Sequence, residues 1–114
     1  AEKLDRFGEV YCGVNETEAF GMAALYANNT DTCEGYISLI GVKKRYEHMG
    51  LGGYMLNESI GIMRKNGMNT VRLEVDEHNR HAMEFYKRNG FSKYGETERN
   101  STYMKKTIAQ GWFL

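Results

Sequence analysis

Proline is absent from this chain, cysteine occurs twice, tryptophan once, and 15 basic residues are cancelled by 15 acidic ones. Each shortage excludes something. Without proline, turns fall to glycine, of which there are 13. Cys12 and Cys33 lack metal-ligand spacing and are too few for a disulfide framework. They are expected as plain thiols of a reducing compartment, with a single Cys12–Cys33 bridge left open. Zero net charge argues against general nucleic-acid or acidic-membrane binding, which calls for a basic surface. Lys43-Lys44-Arg45 is the local exception. No apolar run approaches the ~18 residues of a membrane span. The opening Ala1-Glu2-Lys3-Leu4-Asp5-Arg6 is charged where a signal peptide needs an apolar stretch. A cytoplasmic protein without nucleic-acid or membrane partners is the expectation. The chain lacks an initiator Met, which fits a processed product or a piece of something longer.

What is there suffices for one domain, residues 1–114, around one core. Strands are expected at 9–14, 19–27 and 36–42, joined by short polar turns as an antiparallel meander. Met55, Leu56, Ser59, Ile60 and Met63 form one stripe of a helix that Asn66-Gly67 closes. Residues 70–75 alternate as a strand, with Val71, Leu73 and Val75 as one face and Thr70, Arg72 and Glu74 as the other. A second helix is expected from about Asn79 to Asn89, with Asn79 as N-cap and Gly90 just past its end. Strands at 91–94 and 101–107 close the domain. The apolar tail Ala109 to Leu114 must pack on the domain or on a neighbour.

The chemistry lies in two segments. In the first, the strand Tyr36–Val42 runs into Glu47-His48-Met49-Gly50-Leu51-Gly52-Gly53 and straight into the helix. Closely spaced glycines let backbone N–H groups converge on a ligand, and a helix N-terminus suits an anion such as a phosphate. A dinucleotide fingerprint would need its third glycine at Met55, and a P-loop needs Gly-Lys-Ser/Thr; neither is present. A turn required only for packing is the alternative. The second segment carries Asn79, Ala82, Phe85-Tyr86 and Gly90-Phe91. His48, His78 and His81 lie in or beside these segments without a third ligand, so no metal site is expected.

Together these segments resemble the GNAT superfamily of acyl-CoA N-acyltransferases. Its Gln/Arg-x-x-Gly-x-Gly/Ala turn is matched at Gly50 and Gly52, with Glu47 in the first position. Its later motif is matched without a gap from Asn79 to Phe91. The resemblance spans about residues 9–107. It implies an α+β fold: a mixed, mostly antiparallel central sheet flanked by helices. The family's usual first strand and helices are expected to be missing, because only Ala1 to Gly8 precede the first clear strand.

The resemblance further implies acetyl-CoA as co-substrate. Backbone from Glu47, His48, Met49, Gly50, Leu51, Gly52 and Gly53 would hold its pyrophosphate, and Leu39, Ile40 and Val42 its pantetheine arm. Asn79, Ala82, Phe85 and Tyr86 would line the rest. Arg80 and Lys87-Arg88 are candidates for the adenosine phosphates. A carboxylate at Glu47 repels a pyrophosphate unless it points away or pairs, as with Lys43 or Arg45. Tyr86 would protonate the departing thiolate. Glu74 sits in the Leu-Glu-Val frame that ribosomal-protein N-terminal acetyltransferases of the superfamily use for a base, with Glu34 as runner-up. The implied reaction is acetyl transfer to a primary amine, either a small molecule or a peptide. The shortened sheet favours a homodimer. A non-catalytic or incomplete coenzyme A-binding module of a larger protein is the second reading, and a structural interaction domain the third.

Overall fold

The computed structural model describes residues 2–96 and 99–108. Seven strands form one sheet in the order β1-β2-β3-β4-β5-β7-β6. They are β1 (Lys3–Phe7), β2 (Val10–Val14), β3 (Ala19–Tyr26), β4 (Glu34–Val42), β5 (Thr70–Asp76), β6 (Ser92–Glu96) and β7 (Ser101–Thr107). Helix α1 (Leu51–Lys65) links β4 to β5, and α2 (Arg80–Arg88) links β5 to β6. Only β4 and β5 run parallel; every other pair is antiparallel. The mixed, mostly antiparallel sheet with helices is the architecture expected. The tail Ala109 to Leu114 lies outside the described residues.

One expectation needs correction. A strand precedes β2: Lys3–Phe7 pairs with Val10–Val14, and Gly8, at φ 66°, makes the tight turn between them. A strand thus lies within Ala1 to Gly8, where none was read from the sequence, and β1 passes to β2 with no helix between them. Its sequence hides it because an edge strand pairs on one side only and tolerates charge. Lys3 and Asp5 lie 3.6 Å apart, and Leu4 packs against the core.

The core lies on one face of the sheet, where residues of both helices join Phe20, Ala23, Leu25, Ile37, Val71, Leu73, Val75 and Met104. Helix α1 seats closely because two strands omit a side chain beneath it. A Cβ on Gly13 would stand 2.6 Å from the Met55 sulfur, and one on Gly35 2.6 Å from that of Met63. Both helices end in the same six-to-one bonding pattern at a left-handed glycine. Met68 N–H donates to the Met63 carbonyl beyond Gly67 (φ 82°), and Phe91 N–H donates to the Tyr86 carbonyl beyond Gly90 (φ 90°). In each case the residue after the glycine, Met68 or Phe91, is buried and anchors the exit.

Candidate functional site

The sheet forks. β4 and β5 pair only from Glu34–Thr70 to Ile37–Leu73. Beyond Ile37, β4 runs on to Val42 while paired with β3, and beyond Leu73, β5 runs on to Asp76 while paired with β7. Two strand edges thus face each other across a widening gap, each with backbone groups that a third extended segment can use. Leu39 is half-exposed there; Ile40 and Val42 lean on the core.

Both helices begin at this open end, because each follows the carboxyl end of a diverging strand. Ligands of α/β sheets settle at such ends. Val42 passes through a 3-10 turn at Lys44–Tyr46, which is tied down by Asn15 donating to the Tyr46 hydroxyl at 3.2 Å and by the Phe20 ring. His48 (φ 64°) and Gly50 (φ 77°) then take left-handed conformations that turn the chain into α1. Among the described residues no side chain caps α1, and its first turn carries no acidic residue. The first-turn N–H groups therefore remain available for an anion.

The glycines of this turn separate into two kinds. Gly50 is needed for its backbone angle. Gly52 and Gly53 are not required by packing: a Cβ on Gly52 would make ordinary 3.8 Å contact with Phe85, and one on Gly53 would meet nothing within 4 Å. Gly41, on the open stretch of β4, is equally unconstrained. Bare backbone where the fold does not demand it suits a ligand that approaches closely. Glu47 does not find the partners considered for it. Lys43 (3.2 Å) and Arg45 both pair with Glu18, and Glu47 stands exposed beside His48 at 3.9 Å.

Asn79 caps α2, its side-chain oxygen accepting from Ala82 N–H at 3.1 Å. Ala82 and Phe85 are partly buried along α2, with the Phe85 ring edge-on to Tyr86 at 5.3 Å. Tyr86 is buried and wedged between Phe85 and Phe91, the latter at 5.6 Å. Burial raises its phenol from 10.0 to about 12, so the hydroxyl is a proton donor throughout the neutral range.

The two candidate bases differ in position. Glu74 is the first residue past the last β4–β5 pair, on the face of β5 opposite Leu73 and Val75, and it meets Arg99 at 3.2 Å. Glu34 starts the closed end of the fork, about 10 Å down the strand from Ile37, and is paired with Arg72 at 3.0 Å. The sequence reading missed Arg99 and the rings beside Arg72. Their only sequence signal is the outward set Thr70, Arg72 and Glu74 on β5. Among the described residues no group of three His, Cys, Asp or Glu side chains is arranged to hold a metal, and no helix is long and apolar enough to cross a membrane.

Comparison with known proteins bears on the family and the fold. The model of the Acetyltransferase (GNAT) family matches residues 2–91. N-alpha-acetyltransferase 30 of Schizosaccharomyces pombe is 33% identical over 63 residues, which is 55% of this chain and 42% of that protein. The chain thus spans less than half the length of this curated relative. Ard1 from Thermoplasma volcanium superposes with a TM-score of 0.79 at 24% identity, covering 90% of this chain and 72% of that one, a likeness of fold. The PaiA N-acetyltransferase from Thermoplasma acidophilum, in complex with coenzyme A, has a TM-score of 0.74 at 26% identity over 86% of this chain and 59% of its own.

Proposed function

Since this chain belongs to the acetyltransferase (GNAT) family, we propose that it transfers an acetyl group from acetyl-CoA to a primary amine. The observation that carries the reading is the uncapped start of α1 at the mouth of the forked sheet, where Gly52 and Gly53 lack side chains that packing would have allowed. A pyrophosphate would take the N–H groups of Leu51 to Gly53. The pantetheine arm would lie along Leu39 to Val42 as an added strand, with Asn79 and Phe85 beyond it. One N–H of that stretch would polarise the thioester carbonyl.

The amine must lose a proton to attack. Glu74 accepts it, directly or through water, as the C–N bond forms. The C–S bond then breaks, and Tyr86 donates its proton to the thiolate. Tyr86→Phe is expected to keep acetyl-CoA binding and to lose turnover by ~10²–10⁴-fold. Turnover at the wild-type rate would remove Tyr86 from the reaction.

Calorimetric titration of acetyl-CoA into wild type and Gly52→Asp tests the site itself. An aspartate in the first turn favours a helix and has room here, so the variant should melt no lower than wild type. It should nevertheless bind at least about tenfold more weakly, because a carboxylate faces the pyrophosphate. Equal affinities would return the turn to a purely structural role. The exposed, nearly unpartnered Glu47 favours a second reading, a coenzyme A-binding module without turnover. Its signature is tight binding with no thiol released across a broad amine panel.

A further inference from the structure

The chain that leads into α1 is held at one residue. From Lys43 to Gly50 every residue is exposed except Tyr46, which is partly buried. Within this stretch His48 stands at φ 64°. That conformation costs free energy for a residue with a side chain and persists only where the surroundings enforce it. Tyr46 is where the surroundings act. Its ring packs on the core, 6.0 Å from Phe20. Its N–H donates to the Lys43 carbonyl at 2.8 Å. Its hydroxyl accepts from the Asn15 side chain, 31 positions away in sequence, at 3.2 Å.

Asn15 is itself fixed. It opens the turn between β2 and β3, where its N–H donates to the Glu18 carbonyl at 3.0 Å. Its side-chain oxygen accepts from the Thr17 N–H at 2.9 Å, the Thr17 hydroxyl at 2.8 Å and the Glu18 N–H at 3.0 Å, as in an Asx turn. Three donors on one oxygen decide the orientation of the amide, because the reverse would set its NH2 against all three. The nitrogen is thereby aimed at Tyr46. Donors about the phenol oxygen, Asn15 first and Arg45 after it, hold its ionisation below the ordinary 10.0. Glu18 also takes Lys43 at 3.2 Å and Arg45, and the Phe20 carbonyl accepts the Lys43 N–H at 2.8 Å. Exposed ion pairs like these contribute little. The Asn15–Tyr46 bond is part-buried and joins two side chains whose orientations are each set independently.

We propose that Asn15 is a positioning residue: through Tyr46 it sets the backbone from His48 to Gly53 in its anion-receiving shape before coenzyme A arrives. This rests on the placement of the pyrophosphate at that turn in the transfer reading above. A turn already held in its binding shape loses no affinity to competing conformations, whereas a released one loses the fraction of molecules that leave that shape.

Tyr46→Phe removes the hydroxyl and leaves the ring against Phe20; Asn15→Ala removes the bond from the other side. Acetyl-CoA is titrated calorimetrically into wild type, each variant and the double variant, and backbone amide signals are recorded with and without saturating acetyl-CoA. Each single variant should bind on the order of fivefold to tenfold more weakly. The double variant should bind no more weakly than Asn15→Ala, because both changes delete one bond. In the free variants the signals of Leu51 to Gly53 should be displaced, and saturation should return them to the wild-type bound positions; a general loss of stability would give no such pattern. Unchanged affinity in Tyr46→Phe, losses that add in the double variant, or turn signals that keep their wild-type positions in the free variants would each overturn the positioning role. Wild type that binds no acetyl-CoA would sink the transfer reading; displaced Leu51 to Gly53 signals in both free variants would still support Asn15 as the residue that sets the turn.

Discussion

At the residue scale, Tyr86 links stability to pH in a direction that can be worked out. Its folded value of about 12 stands above the ordinary 10.0, raised by burial. The neutral phenol is thus favoured by folding. The contribution is complete below pH 10 and is lost as pH rises through the interval from 10 to about 12. Two units correspond to about 3 kcal/mol at most. Wild type should therefore lose more stability than Tyr86→Phe across that interval in urea denaturation; parallel profiles would contradict a buried phenol. Tyr86 was legible in the sequence because helix stripe, N-cap and closing glycine are all local. Arg99 was not, because the residue it holds lies 25 positions away in sequence and only the β5–β7 register brings them together.

At the scale of elements, glycine serves opposed ends in α1 and in the strands beneath it. Gly61 lies in the α1 interior with nothing within 4 Å of its would-be Cβ. Gly61→Ala should stabilise the protein by about 0.5–1 kcal/mol, through helix propensity and a less flexible unfolded chain. Gly13→Ala should destabilise it by about 1–3 kcal/mol, because its Cβ would press on Met55 and on the Phe20 ring at 2.8 Å. Thermal melts of the pair check both signs. The ends of both helices were readable from Asn66-Gly67 and Asn89-Gly90, since a six-to-one cap depends on a few adjacent residues. β1 was not readable. Its pattern Lys-Leu-Asp-Arg-Phe offers a single residue to the core, and its strand character comes from pairing with β2.

At the scale of the whole molecule, the fork has a measurable consequence in the backbone. Among the described residues, amides of Ser38 to Val42 that face the gap have no strand partner there, whereas Tyr36 and Ile37 are paired on both sides. Hydrogen exchange should show acetyl-CoA slowing the first group and leaving the second unchanged. Uniform protection, or none, would count against a ligand laid along β4. The succession of strands and helices was legible from periodicity and glycine placement. The row of rings formed by Tyr26 and Tyr36 and by Tyr94 and Tyr103 was not, because each reads individually as an ordinary strand residue. They form a platform only when four different strands bring them side by side.

The tight turn at Gly8 also bears on how the molecule is made. With β1 joined directly to β2, the chain from Lys3 to Val42 is a meander in which each strand pairs only with its neighbours in sequence. Every ladder in it is available once Val42 has left the ribosome, before any of α1 has been synthesised. Loops this short close at little entropic cost. β5 cannot complete its pairing until β7 has emerged. Translation therefore delivers the two arms of the fork as separate units in time, and the gap between them is where the earlier arm meets the later one.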